Sequence, residues 1–172
     1  MLLFSLDTLK ALFRHMEWAD GRVWTAAEAN PAAGSDEKIR GLLFHLHMVQ
    51  RAFLEVWEGR RLELPKPTQF PDLTSLRAWS TTYSDEVGRY LDGLDPLTLA
   101  QPLRMPWVAE FEKNVGQAFA NPTVGETLFQ VTSHSTYHRG QVNARLRELG
   151  GEPPLVDFIA WIWLGKPSAT PS

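Results

Sequence analysis

Four stretches of this chain repeat apolar residues at the spacing of an α-helix, and proline or glycine closes each of them. That pattern confines the chain to all-α folds built from long helices. In the first stretch Leu9, Leu12, Phe13, Met16, Ala19 and Val23 form one stripe, with Ser5 placed to cap it and Asn30-Pro31 to end it, which predicts a helix of about 24 residues. Ser35, followed by Asp36 and Glu37, has the character of a second N-terminus, and that helix should run to about Trp57 and stop at Gly59. Leu76, Trp79, Tyr83, Val87 and Tyr90 mark a third helix from about Thr74 to Leu91. Thr123-Val124-Gly125-Glu126 has capping-box spacing and predicts a fourth helix, ending at Gly150-Gly151 before Pro153-Pro154.

Between the third and fourth helices, residues 92–122 carry Gly93, Pro96, Pro102, Pro106 and Gly116, too many breakers for a long helix. This predicts a long loop, with a short extended piece around Leu103 to Val108. A loop of that length in a compact domain is commonly a functional covering segment. The apolar run Leu155 to Leu164 is expected to be a short helix packed on the bundle, and residues 167–172 a disordered tail. The expected architecture is a single all-α domain, residues 1–166, in the form of a four-helix bundle with a short C-terminal helix.

Composition narrows the chemistry. The chain has no cysteine, which excludes disulfides, thiolate metal sites and a cysteine nucleophile, so any metal must be held by nitrogen and oxygen. A net charge of -3 without a basic run gives no basis for a nucleic-acid partner. No apolar run approaches the length of a membrane span, and the N-terminus lacks the basic and small-residue marks of a signal peptide; a cytoplasmic protein is expected.

The segment His134-Ser135-Thr136-Tyr137-His138 supplies a candidate site, because two imidazoles four residues apart stand one above the other on a helix and can reach one metal ion. The zinc-protease variant of this motif needs Glu after the first histidine; here Ser135 occupies that position. A third ligand must come from elsewhere. At about 100° per residue, Gly41, Met48, Val49, Ala52 and Val56 lie within roughly 60° of His45, which places His45 on an inward stripe of the second helix. His47 lies roughly 160° away and is expected to face solvent or another surface. His15, at the edge of the first helix's stripe, is a candidate for a pocket rim. Spacing alone leaves two readings open: a shared metal, or three separately hydrogen-bonded histidines.

Several segments match a known family. His134-x-x-x-His138-Arg139-Gly140-Gln141, continuing through Leu146-Arg147-x-Leu149-Gly150-x-x-Pro153-Pro154-x-x-Asp157, resembles the C-terminal signature of the DinB-like superfamily. Leu42-Leu43-Phe44-His45-Leu46 with Gln50-Arg51-Ala52-Phe53-Leu54 is similar to that family's second-helix pattern, with His45 at its metal histidine. Trp18-Ala19-Asp20-x-Arg22 resembles its first-helix pattern, which usually has Asn where this chain has Asp20.

The resemblance implies a four-helix bundle with up-down-down-up connectivity, often dimeric, binding zinc or nickel through His45, His134 and His138. Relatives with known activity include a mycothiol-dependent maleylpyruvate isomerase and bacillithiol or glutathione S-transferases. It therefore implies a metal-dependent transferase that adds a low-molecular-weight thiol, as co-substrate, to an electrophilic small molecule. A metal-dependent hydrolase and a non-enzymatic, stress-associated metal-binding protein are the alternatives.

Around the three histidines, Gln141 falls on the same side of the helix as His134 and is a candidate to orient a ligand. Arg139, turned about 100° from His138, suits pairing with an acid, a helix end or a substrate carboxylate. Trp18 is expected at a pocket wall or a dimer face.

Overall fold

A computed structural model describes residues 4–169 of the 172. Its elements are α1 (Leu6–Ala29), α2 (Pro31–Gly34), α3 (Glu37–Trp57), α4 (Leu73–Gly93), α5 (Val108–Val115), α6 (Val124–Glu148) and α7 (Phe158–Trp163), with 3-10 turns at Pro67–Gln69 and Pro96–Ala100. No strand occurs among the described residues, and no helix there is long and apolar enough to cross a membrane.

Local chemistry sets the helix ends. Ser5 Oγ accepts from the Thr8 N–H at 3.1 Å and starts α1. The cap of α3 is Asp36 rather than Ser35, with Oδ1 accepting from the Ile39 N–H at 2.8 Å. The shift arises because Asn30-Pro31 opens an extra helical turn instead of a loop. Asn30 Oδ1 accepts from the Ala32 N–H at 2.9 Å, Pro31 sits in the first turn where its missing N–H costs nothing, and Ser35 ends α2.

Thr123 and Glu126 form the reciprocal capping box of α6, with Glu126 N–H to Thr123 Oγ1 at 3.2 Å and Thr123 N–H to Glu126 Oε2 at 2.6 Å. At its other end Gly150 takes φ 74°, which L side chains rarely adopt, and the N–H groups of Gly150 and Gly151 close on the carbonyls of Arg147 and Leu146 at 3.0 and 2.8 Å.

The four long helices close into a ring in which α1 meets α6, α6 meets α3, α3 meets α4 and α4 meets α1. Two apolar clusters define their directions. One joins Val23, Trp24 and Ala27 from the end of α1 with Ile39 and Leu43 from the start of α3, Leu73 and Leu76 from the start of α4, and Val142 and Leu146 from the end of α6. The other joins Leu9 and Phe13 with Leu54, Val87, Leu91, Val124 and Leu128, the opposite ends of the same helices. Hence α1 and α6 run one way and α3 and α4 the other, the order up, down, down, up.

The expected long loop is more structured than its breakers suggested. Leu103 to Trp107 is irregular, tied by one isolated bridge between Pro102 and Thr123, while Val108, expected in an extended piece, begins α5, which Gly116 ends at φ 78°. Leu99 enters the second cluster, so this segment covers the end of the bundle formed by the N-terminus of α6.

In the C-terminal run, helix begins only at Phe158, and Trp161 packs on Trp18 and Ala19 of α1. Of the expected disordered tail, Pro167 is held by a 2.9 Å hydrogen bond from Trp161 Nε1 to its carbonyl, and residues 170–172 lie outside the described part.

Candidate metal centre

His45 on α3 and His134 and His138 on α6 converge, each offering one ring nitrogen, with all three nitrogens within 4.8 Å of one another. Ring centroids lie 4.3 Å apart for His134 and His138, 4.5 Å for His45 and His138, and 5.3 Å for His45 and His134. His45 and His134 are partly exposed at the seam between α3 and α6.

The position of the group corrects the helical-wheel expectation. His45, expected on the inward stripe, is on the flank of α3, whereas His47, expected to face outward, is buried. The inward face of α3 is Ile39, Leu43, Leu46, His47, Gln50 and Leu54, centred roughly 150° from His45. Adjacent helices nevertheless let flank residues meet across their seam, which is how His45 reaches the pair on α6.

The donors suit a divalent cation. His134 Nε2 is buried and has no hydrogen-bond partner among the described residues, a costly arrangement unless something else takes up its lone pair. Burial, with the neighbouring His138 and His45, pushes the His134 imidazole down to about 4. Burial and then His138 lower that of His45 as well. Both rings are therefore neutral and ligand-ready at neutral pH.

Gln141 Oε1 accepts from His138 Nδ1–H at 2.7 Å, which leaves Nε2 as the ring's donor atom. Three imidazole nitrogens without thiolate or carboxylate make a set suited to zinc, nickel and neighbouring ions.

The remaining candidates lie elsewhere. Arg139 turns into the core, where its Nη1 meets Asp20 Oδ1 at 2.7 Å and its Nη2 meets Thr136 Oγ1 at 2.8 Å, the acid pairing anticipated for it. His15 Nε2–H donates to the Val156 carbonyl at 2.9 Å, and the ring lines a cleft of about 750 Å³ between α1, α6 and residues 153–158 that none of the three histidines lines. Trp18 is buried against Trp161 with Arg22 over its ring at 5.3 Å, and it lines neither this cleft nor one of about 570 Å³ between α1 and α4.

A polar network escaped the sequence reading. Trp24 Nε1–H donates to His47 Nε2 at 2.9 Å, and His47 Nδ1–H donates to Gln50 Oε1 at 2.9 Å. Gln50 Nε2 in turn donates to Asp20 Oδ2 at 2.8 Å and Ser135 Oγ at 3.0 Å. A signal for it was present: Asp20 continues the series Phe13, Met16, Val23, and Gln50 the series Leu43, Leu46, Leu54, while Ser135 and Arg139 bridge Val131 and Val142. These polar residues stand at apolar positions of the helical repeat, where burial demands partners.

An all-α ring of helices carrying a three-histidine group on two neighbouring helices defines the class as a helical-bundle protein with a candidate divalent-metal site. The DinB family profile matches residues 5–168, and the chain belongs to that family. It is also similar to Protein DinB of Bacillus subtilis (strain 168), at 21% identity over 170 residues, covering 90% of this chain and 94% of that one.

Proposed function

We propose that His45, His134 and His138 together bind one divalent ion, zinc or nickel, and that the protein uses it to transfer a low-molecular-weight thiol to an electrophilic small molecule. The observation that carries the metal reading is the convergence of three imidazole nitrogens within 4.8 Å, one of them the buried and unpartnered Nε2 of His134. A divalent ion at this position lowers the pKa of a thiol brought to it, favouring thiolate near neutral pH.

The chain's own residues frame that chemistry. His45 and His134 stay neutral, and Gln141 fixes the His138 ring so that Nε2 faces its neighbours. The partly exposed side of the group admits a small co-substrate, and with no cysteine in the chain the thiol must arrive on that co-substrate. Thiol transfer follows what family resemblance implies, and it deepens the metal reading rather than resting on separate geometry.

The test is elemental analysis of the wild type and His138→Ala, with the wild type assayed against a generic electrophile using several small thiols. The expected result is one ion per chain in the wild type, its loss in the variant, and metal-dependent consumption of one thiol. Stoichiometric metal in His138→Ala would sink the site. Turnover without thiol would point instead to a hydrolase, and bound metal with neither activity to a binding protein.

A further inference from the structure

We propose that Gln50 and Ser135 are positioning residues for the three-histidine group, an inference that rests on the metal reading above. On α6, Ser135 follows His134 and Arg139 follows His138, each about 100° further round the axis, so one face carries the histidines and the next carries the core network. On α3, Gln50 stands five residues beyond His45, about 140° round the axis. Each helix therefore links a ligand face to a network face as one rigid body.

The network locks these bodies together. From α3, the fully buried Gln50 amide reaches α1 at Asp20 Oδ2, 2.8 Å, and α6 at Ser135 Oγ, 3.0 Å. Asp20 on α1 also holds Arg139 of α6 at 2.7 Å. His47 pins the far side of the amide by donating to its Oε1, which fixes which end of Gln50 faces α6.

The apolar packing between α3 and α6, as in the cluster that holds Leu43 and Val142, is non-directional, and a helix sliding or rotating slightly against it loses little. Hydrogen bonds fail over a few tenths of an ångström and a few tens of degrees. Because His45 comes from one helix and His134 and His138 from the other, the distance between donors is set by the register of α3 against α6. Sites built across elements need their ligands held to roughly 0.5 Å. The Gln50–Ser135 bond lies one residue from His134, whereas the other polar ties between α3 and α6, Trp57 Nε1–H to Thr127 Oγ1 at 2.9 Å and Arg145 to the Asp36 cap of α3, stand towards the two ends of the helices.

A network that merely satisfied buried polar groups would affect stability and nothing else. The two roles separate in the binding of zinc, measured by competition with a chromophoric chelator, and in the visible spectrum of the cobalt(II)-substituted protein, whose intensity reports coordination geometry. The full chain is compared as wild type, Gln50→Leu, Ser135→Ala and Leu91→Ala, at a temperature where circular dichroism shows each folded. Leu91 is buried at the other end of the core on α4 and touches no network residue through a hydrogen bond, so its truncation lowers stability alone.

The expected result is zinc binding weakened about 10-fold or more in Gln50→Leu and Ser135→Ala, with an altered cobalt spectrum, and wild-type affinity and spectrum in Leu91→Ala despite its lower melting temperature. Ser135→Ala removes one hydroxyl and leaves Gln50 bonded to Asp20, so it decides the matter if Gln50→Leu fails to fold. Wild-type affinity and spectrum in the network variants would overturn the positioning role while leaving the metal reading intact. Failure of the wild type to take up metal would overturn both.

Discussion

Replacing Arg139 by methionine isolates the energetics of the buried network. The guanidinium is 2% exposed and its partner Asp20 8%, so the pair is removed from water almost completely. In Arg139→Met the Asp20 carboxylate keeps one donor, Gln50 Nε2, and loses its compensating charge. Stranding one member of a buried pair costs about 3–5 kcal/mol, against a total stability of about 5–15 kcal/mol for a domain.

With a urea m value of roughly 2 kcal/mol/M, the midpoint should fall by roughly 1.5–2.5 M. The double variant Asp20→Leu with Arg139→Met removes both charges and recovers most of that loss. It strands one N–H of Gln50, since Ser135 accepts only one of the two, which leaves a residual cost of about 1–3 kcal/mol. Urea unfolding of the chelator-treated protein, followed by fluorescence of its seven tryptophans, reads both numbers. A loss below about 1 kcal/mol in the single variant, or a double variant equal to the sum of the singles, would refute the assignment of this pair as a coupled buried unit.

Gln141→Leu removes the acceptor that fixes the His138 ring, and metal affinity should fall about 10- to 100-fold by chelator competition, with unfolding little changed; equal affinity would show the bond to be incidental. Burial holds His15 and His47 below their ordinary range and His134 at about 4, so below about pH 6.5 the unfolded chain binds protons that the folded metal-free chain refuses. Its stability should therefore be flat above that pH and decline as pH falls towards the folded-state values, and a flat urea midpoint from pH 7 to 5 would contradict the burial of these rings. Thr123→Ala breaks the capping box of α6 and should cost about 1 kcal/mol, seen as a small midpoint shift without loss of metal.

The helices were legible because their determinants are local. Ser5, Thr123 with Glu126, and Gly150-Gly151 act within one turn of themselves, and each lies where its hydrogen bonds require. Errors arose where a local rule had two outcomes. Asn30-Pro31 is equally a stop and a start, since Asn caps a helix and Pro fits its first turn, and the start prevailed to form α2. Val108 followed four breakers, Gly93, Pro96, Pro102 and Pro106, but the seven residues after it hold neither Gly nor Pro and are free to form α5. The direction of α3 relative to α4 depends on packing across the bundle, and periodicity carries no information about it.

The three histidines converge in the structure although the orientation expected for His45 and His47 was reversed. The wheel for α3 assigned the inward face by counting apolar residues, so Met48, Val49 and Val56 drew that face towards His45 and away from His47. Inside the bundle, however, His47 and Gln50 are as well accommodated as leucine, because Trp24, Asp20 and Ser135 supply every hydrogen bond they need.

Two polar residues, His47 and Gln50, within the buried face of α3 and the partly buried Met48, Val49 and Val56 on its other side weaken the expected contrast. Apolar counting fails most where buried polar residues come with partners on other helices, since those partners are invisible from within one segment. The same arrangement leaves His45 and His134 partly exposed on the seam and the polar network in the core, where it can hold the two helices in register.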